Sequence, residues 1–228
     1  MKSVALFDVD NTIYHGFSFA GLLENEVNAG ILDGNILRKC ESILSDYKNG
    51  KADYEASVLK VLQIHAAGLE GKNYNEISKF AVDFYNGTRN FYDFAIPTMK
   101  LLKTTHDVIL VTAEPGYACD AIKDIVGASL GHSTIYEVID GIFTGELSST
   151  LSSRHDKYTA IVDTMHKYEK SGSFAFGDSE GDIEMLKAVD HSICINASNG
   201  LKKEAIANGW QLVEPNQVES LVKSILNS

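Results

Sequence analysis

The stretch Val4-Ala5-Leu6-Phe7-Asp8-Val9-Asp10-Asn11-Thr12 places two carboxylates directly after a short apolar run. The run predicts a buried strand, and ligands of open α/β sheets bind at the carboxyl ends of the strands. If the extended backbone continues past Phe7, Asp8 and Asp10 point to the same side of the chain. The alternative is that both residues form a turn or cap a helix, because Asp and Asn are common there.

A second acidic cluster, Gly177-Asp178-Ser179-Glu180-Gly181-Asp182, follows the predicted strand 174–176 in the same way. A helix N-cap accounts for Asp178 alone, but not for carboxylates at two strand ends. Acids that converge at strand ends repel one another, and a hard divalent cation with oxygen ligands relieves that repulsion. We therefore expect Mg²⁺ where the two clusters meet.

The rest of the chain indicates the fold class, because strands alternate with helical patterns from residue 108 onward. The predicted later strands are 108–111, 174–176, 192–195 and 211–213. The helices predicted in this half are 155–170, 182–188 and 201–208. An Asp140-Gly141 turn within 135–147 predicts a β-hairpin, either a plain surface feature or a functional one. This rhythm is typical of a parallel α/β sheet.

The segment between the first strand and residue 108 is too long for one crossover helix. Its apolar residues recur with helical periodicity, for example at Tyr54, Val58, Leu62 and Ala66. The predicted helices are 19–32, 36–47, 54–66 and 74–85. We interpret residues 13–88 as an inserted helical subdomain.

The composition excludes several classes of protein. The 228 residues include 20 Lys and Arg against 31 Asp and Glu, a formal charge of −11, and 44% are hydrophobic. These values are typical of a soluble globular protein whose charge opposes nucleic acid and anionic lipid. We find neither a signal-peptide core nor a membrane-spanning run, so we expect a cytoplasmic protein without nucleic-acid or membrane partners. Cys40, Cys119 and Cys194 are predicted to be buried reduced thiols.

Two further residues complete a pattern: Thr112 at the end of a predicted strand and Lys157 at the start of a predicted helix. Each alone is unremarkable, since such a Thr usually forms a strand or cap and such a Lys is usually solvated. Together with Asp8–Thr12 and Gly177–Asp182, in this order, they resemble the four motifs of the haloacid dehalogenase (HAD) superfamily. The helical insertion and the hairpin before Lys157 are similar to its phosphoserine-phosphatase-like branch, subfamily IB. The resemblance spans the whole chain.

This resemblance implies a Rossmann-like α/β core, residues 1–12 and 89–228, with a helical cap inserted at residues 13–88. It implies hydrolysis of a small phosphate monoester, which the cap selects. Asp8 would attack phosphorus to form an aspartyl-phosphate, and Asp10 would act as acid and then as base. Thr112 and Lys157 would meet the charge on the phosphoryl oxygens.

The resemblance also implies a cofactor and a set of binding residues. Mg²⁺ would lie between Asp8, the backbone carbonyl of Asp10 and Asp178, with Asp182 supporting the metal. The implied substrate-binding residues are Val9, Thr12, Tyr14, His15, Phe17 and Ala113. Oligomeric state is not predicted.

The sequence departs from phosphoserine phosphatases where those enzymes recognise their substrate. None of Gly16, Phe17, Ser18 and Phe19 is the acidic residue that pairs there with the substrate ammonium. Gly181 replaces the Asn that commonly precedes the last Asp of the fourth motif. The second motif is Thr112-Ala113-Glu114-Pro115 rather than Ser-Gly-Gly. The resemblance therefore extends to the catalytic residues, but not to the residues that recognise an amino-acid phosphate.

The sequence leaves four alternatives to weigh against the function of a Mg²⁺-dependent phosphatase. Phosphotransfer to an alcohol would use the same aspartyl-phosphate as hydrolysis, and the sequence does not separate the two. Hydrolytic dehalogenation uses a similar nucleophile but needs neither Mg²⁺ nor Asp10. A receiver-type regulatory domain has no large helical insertion after its first strand. A silent phospho-binding module is expected to have lost one of Asp8, Asp10, Lys157 and Asp178, and all four are present.

Overall fold

The computed structural model describes residues 3–227, so Met1, Lys2 and Ser228 lie outside the described residues. Within this range one seven-stranded sheet is flanked by helices. The strands are β1 (Ser3–Phe7), β2 (His106–Pro115), β3 (Leu130–Ile139), β4 (Ile142–Ser149), β5 (Phe174–Gly177), β6 (His191–Ile195) and β7 (Gln211–Val213).

Ten α-helices lie within the described range. Those between β1 and β2 are α1 (Ser18–Asn28), α2 (Gly34–Lys48), α3 (Tyr54–Gly68), α4 (Tyr74–Thr88) and α5 (Ala95–Leu102). The others are α6 (Gly116–Val126), α7 (Arg154–Met165), α8 (Ile183–Lys187), α9 (Asn199–Asn208) and α10 (Val218–Leu226). Short 3₁₀ turns at Glu180–Asp182 and Pro215–Gln217 precede α8 and α10.

The sheet confirms the predicted Rossmann-like α/β fold. Its strand order is β4-β3-β2-β1-β5-β6-β7, and every pair is parallel except β3 with β4. β1 is buried on both faces because helices cover the sheet, which explains its unbroken apolar run. The first strand therefore lies at the centre of the sheet, and the residues that follow it emerge at the middle of one edge.

β2 is longer than the sequence predicts. Thr112 was expected to end the strand, but β2 continues through Glu114 to Pro115. The strand continues because its partner β3 pairs with it as far as Pro115, after a register shift beyond Val111. Thr112 thus lies inside an extended segment.

The predicted hairpin is part of the main sheet and holds the inserted helices. Asp140 and Gly141 both have positive φ, 51° and 78°, which is the backbone of a two-residue type I′ turn. The loop between α3 and α4 pairs with this hairpin: the Gly71 N–H donates to the Phe143 carbonyl at 2.9 Å, and the Phe143 N–H donates to the Lys72 carbonyl at 3.0 Å. The hairpin is therefore a support for the helical insertion rather than a plain surface feature.

The sequence predicts buried, reduced cysteines and no membrane-spanning segment. All three cysteines are buried and unpaired, as predicted, and burial raises the pKa of the Cys119 and Cys194 thiols to about 12. Across residues 3–227, no helix combines the length and apolar character needed to cross a membrane.

Candidate active site

The two acidic motifs meet because their strands are neighbours. β1 lies between β2 and β5, and Phe7 is in register with Leu110 on one side and Phe176 on the other. The rings of Phe7 and Phe176 stack with 4.1 Å between centroids, and the Asp8 N–H donates to the Phe176 carbonyl at 3.0 Å. Asp8 and Asp178 therefore emerge side by side at the carboxyl edge of the sheet.

Asp8 is buried, and each of its carboxylate oxygens has a hydrogen-bond partner. Lys157 Nζ donates to Oδ1 at 2.7 Å, and Thr12 Oγ1 donates to Oδ2 at 3.1 Å. Lys157 reaches Asp8 from the first turn of α7, whose start is fixed by a capping box between Ser153 and Asp156. The Asp8 side chain is thus held in one orientation.

Asp182 is fully buried and organises the loop after β5. Its Oδ2 accepts the backbone N–H groups of Asp178 and Ser179, each at 3.1 Å, and its Oδ1 accepts Lys157 Nζ at 2.8 Å. Gly177 makes room for this arrangement, because a Cβ there would lie 2.5 Å from the Asp182 Cβ. Asp182 therefore positions both the Asp178 loop and the Lys157 ammonium group.

The carboxylates of this cluster carry more negative charge than their common cation neutralises. Asp8, Asp178 and Asp182 each offer an oxygen, and these atoms lie within 4.8 Å of one another. Burial raises the pKa of Asp8 to about 7, with Asp182 adding to the shift and Lys157 opposing it. Burial, followed by the charge of Asp8, raises the pKa of Asp178 well above its ordinary range. At neutral pH the cluster either holds protons or needs a further cation.

Lys157 remains charged inside this cluster. Burial acts to lower its pKa, but the neighbouring Asp182 and Asp8 carboxylates raise that pKa well above the ordinary value of a lysine. A buried ammonium group that already contacts two carboxylates is a fixed positive charge at the edge of the sheet. It can meet an anionic group in the cavity without first being moved or protonated.

Asp10 belongs to a separate chain of hydrogen bonds. The Ser18 N–H and Ser18 Oγ approach Asp10 Oδ1 at 2.8 and 2.6 Å, and the same hydroxyl lies 2.6 Å from Glu114 Oε1. A hydroxyl has one proton and can donate to only one of these carboxyl groups. Burial raises the pKa of both carboxyl groups, that of Glu114 well above its ordinary range. One of the two must therefore hold a proton and donate it to Ser18, while Ser18 donates to the other.

A cavity of about 520 Å³ opens over the sheet edge. Residues of the two acidic motifs, of β2 and of the inserted helices line it. The predicted site residues in this lining are Asp8, Asp10, Phe17, Thr112, Ala113, Lys157 and Asp178. Tyr54 and Glu55, at the start of α3, line the same cavity. The structure thus brings most of the predicted catalytic and metal-binding residues to one space, beneath the helical insertion.

The other predicted residues lie elsewhere. Among residues 3–227, the predicted substrate-binding residues outside this lining are Val9, Thr12, Tyr14 and His15. Tyr14 is buried with its ring edge-on to Phe91, 5.2 Å between centroids. His15 is exposed, and its ring packs on Tyr92 at 3.7 Å. Thr12 holds Asp8 instead of lining the cavity.

The residues of the site that were not predicted include Ser18, Glu114 and Tyr54. The departure of Glu114 from the glycine of related enzymes was a signal that the sequence carried. Tyr54 follows Asp53, whose side chain accepts the Ala56 N–H and caps α3. That cap indicates where α3 begins. It does not indicate that Tyr54, the first residue of the helix, reaches the sheet edge.

Comparison with known proteins adds an independent finding. A family profile described as haloacid dehalogenase-like hydrolase matches residues 5–187. The chain belongs to this family. A histidinol-phosphatase of Neisseria meningitidis serogroup C (strain 8013) is 26% identical, and the match covers 93% of this chain and 99% of that protein. The phosphoserine phosphatase SerB1 of Mycobacterium tuberculosis (strain ATCC 25618 / H37Rv) is also 26% identical, with 93% of this chain and 70% of the relative covered.

Two solved structures share the fold of this HAD hydrolase. A protein of unknown function from Bordetella pertussis Tohama I superimposes with a TM-score of 0.77 at 24% identity, over 94% of this chain and 99% of that one. A substrate-bound phosphoserine phosphatase superimposes with a TM-score of 0.63 at 20% identity, over 90% of both chains. The predicted membership of the HAD superfamily and of its phosphoserine-phosphatase-like branch is confirmed.

Proposed function

We propose that this HAD hydrolase is a Mg²⁺-dependent phosphatase that cleaves a small phosphate monoester through an aspartyl-phosphate on Asp8. One observation carries the proposal: Asp8 lines the cavity between the Lys157 ammonium group and the carboxylate of Asp178. A nucleophile, a fixed cation and metal-binding oxygens are the parts that phosphoryl transfer requires. The relatives named above are phosphatases by name, but for two different esters, so they support the reaction and not one alcohol.

The donor set fits Mg²⁺, which prefers oxygen ligands. We assign the ion to Asp8, Asp178 and the backbone carbonyl of Asp10, because these three residues line the cavity whereas Asp182 does not. Asp182 would support the ion through the loop that it holds. When bound, Mg²⁺ would supply positive charge to the phosphoryl oxygens and allow the neighbouring carboxylates to ionise together.

In the first step an Asp8 carboxylate oxygen would attack phosphorus, and the bond from phosphorus to the ester oxygen would break. Asp10 would give its proton to the departing alkoxide, which leaves as an alcohol. Lys157 would face the charge on the phosphoryl group from its place beside Asp8. Thr112, in the same cavity, would add a hydroxyl donor.

In the second step water would attack the phosphorus of the aspartyl-phosphate. Asp10, now a carboxylate, would take a proton from that water, and the bond between phosphorus and Asp8 would break. Phosphate would leave and Asp8 would be restored. The hydrogen bonds from Ser18 keep the Asp10 carboxyl in one place for both steps, and burial raises its pKa toward the range useful to an acid.

We also propose that residues 13–88 are the cap of this site. α1 and α3 supply residues to the cavities at the sheet edge, and the hairpin β3–β4 holds the loop that follows α3. A cap in this place would exclude bulk water from the aspartyl-phosphate and touch the leaving alcohol.

The decisive experiment measures release of alcohol and phosphate from 4-nitrophenyl phosphate, with Mg²⁺ and with excess chelator. We expect turnover only with the metal, and none from Asp8→Asn, which keeps the shape of the side chain but not the nucleophile. A matched control is Asp190→Asn. Asp190 is exposed, directly precedes β6 and accepts the Gly172 N–H at the amino end of β5, away from the cavity, so this variant should give wild-type rates. Turnover that persists in chelator, or in Asp8→Asn, would contradict the proposal.

A further inference from the structure

An apolar chamber of about 160 Å³ adjoins the catalytic cavity on the side of Asp10. The two spaces share Asp10, Phe17, Tyr47, Tyr54 and Ala113 in their linings, so the chamber lies directly beside the cavity. A substrate with its phosphate beside Asp8 would pass Asp10 before its remaining atoms entered the chamber. The chamber therefore lies where the leaving alcohol of the proposed reaction would be.

The walls of this chamber are mostly hydrocarbon. Phe17 directly precedes α1, and most of the other apolar side chains come from α1, α2 and α3, namely Phe19, Leu44, Val58, Val61 and Leu62. Val61 and Leu62 are 5% and 3% exposed, so the inner wall is shielded from bulk solvent. Apolar surfaces of this kind bind apolar groups and exclude charged ones.

The chamber offers no partner for a charged group on the alcohol. Among residues 3–227, its lining contains no Lys, Arg or His, so a carboxylate would meet no cation there. Its acids are Asp10 and Glu114, and both are already engaged with Ser18. Glu114 also accepts the Tyr85 hydroxyl at 3.3 Å, and burial raises its pKa well above its ordinary range. An ammonium group would lose its water without gaining a free carboxylate.

The volume of the chamber limits the size of the group that the leaving alcohol can place there. A cavity of about 150 Å³ lined by aliphatic and aromatic side chains is known to hold one benzene molecule. A chamber of about 160 Å³ has room for one six-membered ring. Two rings, or a long alkyl chain, would extend beyond it.

We propose that the preferred substrate is a phosphate monoester whose alcohol carries one uncharged ring, or a branched hydrocarbon of that size, on a short linker. This inference rests on the phosphatase function proposed above. It deepens that function by assigning the chamber to the leaving alcohol and by excluding alcohols with an ammonium or carboxylate group in that position.

Three esters test the proposal in steady-state assays of the wild-type enzyme with Mg²⁺. They are 2-cyclohexylethyl phosphate, 2-(piperidin-4-yl)ethyl phosphate and ethyl phosphate. The first two have the same shape, but the second carries a protonated nitrogen in its ring. We expect kcat/KM for the cyclohexyl ester to exceed that for each of the other two by about 100-fold. Ethyl phosphate lacks the ring carbons that would fill the apolar pocket, and the piperidinium ester would bury a charge there.

A charge placed in the wall tests the chamber directly. Val58 is half-buried, so Val58→Asp should fold, and it should lower kcat/KM for the cyclohexyl ester while raising it for the piperidinium ester. The matched control is Val82→Asp on α4, where Val82 is 39% exposed and lies outside the chamber lining. The control should leave the ratio between the two esters unchanged.

The outcomes separate the two proposals. If the enzyme cleaves the ethyl or piperidinium ester as well as the cyclohexyl ester, the chamber does not select an uncharged ring and the inference is wrong, while the phosphatase function stands. If it cleaves none of the three, and not 4-nitrophenyl phosphate either, the phosphatase function itself is wrong. If Val58→Asp and Val82→Asp change the ratio equally, the alcohol does not contact the α3 wall.

Discussion

Ser18 holds the Asp10 carboxylate with two hydrogen bonds, from its backbone N–H at 2.8 Å and from its hydroxyl at 2.6 Å. Ser18 is the first residue of α1, so Asp10 lies at the positive end of an 11-residue helix. The same hydroxyl continues to Glu114 on β2. The orientation of the proposed acid and base is therefore set jointly by the helical insertion and by the sheet.

Ser18→Ala should slow the alkyl esters more than the aryl esters. The variant keeps the N–H bond to Asp10 but loses the hydroxyl between Asp10 and Glu114, so the Asp10 carboxyl is less well placed to give up its proton. We expect kcat to fall about 10-fold or more for an alkyl phosphate, part of the roughly 10²–10⁴-fold that acid–base catalysis provides. Steady-state kinetics with 4-nitrophenyl phosphate and ethyl phosphate measure the difference.

A buried serine away from the site provides the control for this comparison. Ser173 is fully buried at the amino end of β5 and donates to the Lys170 carbonyl. Ser173→Ala should reduce stability without changing the ratio of alkyl to aryl rates. Equal losses for both esters in Ser18→Ala would show that Ser18 supports the fold and does not position Asp10.

Prediction from the sequence succeeds where neighbouring residues determine the outcome. β1 was predicted from four apolar residues in a row, and α9 was predicted to end at Asn208-Gly209, where Gly209 has φ 69°. α6 was not predicted, although its buried apolar residues lie on one face, opposite the exposed Asp120 and Asp124. The extension of β2 to Pro115 was not predicted either, since it depends on pairing with β3.

The residues of the site also fall into two groups, those that the sequence predicts and those that it does not. Asp8 and Asp10 stand two residues apart, and Asp178 and Asp182 four residues apart, so each pair is visible as a motif. Ser18 and Glu114 are 96 residues apart and meet only because α1 begins over the end of β2. Their contact is a product of tertiary packing, and a linear pattern carries no trace of it.

The stability of the metal-free protein should fall as the pH rises. Asp8 has an ordinary pKa of 3.8 that burial raises to about 7, and the pKa of Asp178 is raised as well. An acid with a higher pKa in the folded state stabilises the fold at low pH, and that stability is lost as the pH rises from about 4 through about 7. Thermal unfolding in chelator, at about pH 5.5 and about pH 8, measures the effect.

Mg²⁺ should reverse this trend, because a cation replaces the lost protons. We expect the increase in Tm on adding Mg²⁺ to be larger at about pH 8 than at about pH 5.5. Asp178→Asn removes one of the clustered carboxylates, so it should weaken both the pH effect on the metal-free protein and the response to Mg²⁺. The same response to Mg²⁺ in Asp178→Asn as in wild type would place the metal elsewhere.

A buried polar cluster fastens the helical insertion to the sheet. His65 Nε2 on α3 lies 2.7 Å from Glu26 Oε2 on α1, and His65 Nδ1 lies 3.0 Å from the Tyr136 hydroxyl on β3. The Tyr117 hydroxyl donates to Glu26 Oε1 at 3.2 Å. Glu26 and His65 are both completely buried. Because these groups have no access to water, each depends on the others for its hydrogen bonds.

Glu26→Ala should therefore lower the free energy of unfolding by about 3 kcal/mol, since it leaves a buried imidazole and a buried hydroxyl without their partner. Urea denaturation measures the loss. Glu219→Ala is the control: it breaks an exposed pair with Lys223, at 2.6 Å, and should cost about 0.5 kcal/mol or less. Similar losses in the two variants would mean that the buried cluster does not anchor the insertion.

Asp10→Asn should impair the two half-reactions to different degrees, because the need for a proton depends on the leaving group. An aryl phosphate expels a stabilised phenolate, whereas an alkyl phosphate expels a strongly basic alkoxide and depends on the acid, a difference within the roughly 10²–10⁴-fold range of such catalysis. Water attack on the aspartyl-phosphate loses its base with either ester. Rapid quench with a ³²P-labelled aryl phosphate should therefore show a burst of phenol, slow turnover and label retained on Asp8. Equal slowing of the first step for aryl and alkyl esters, with no phosphoenzyme, would mean that Asp10 anchors the site and transfers no proton.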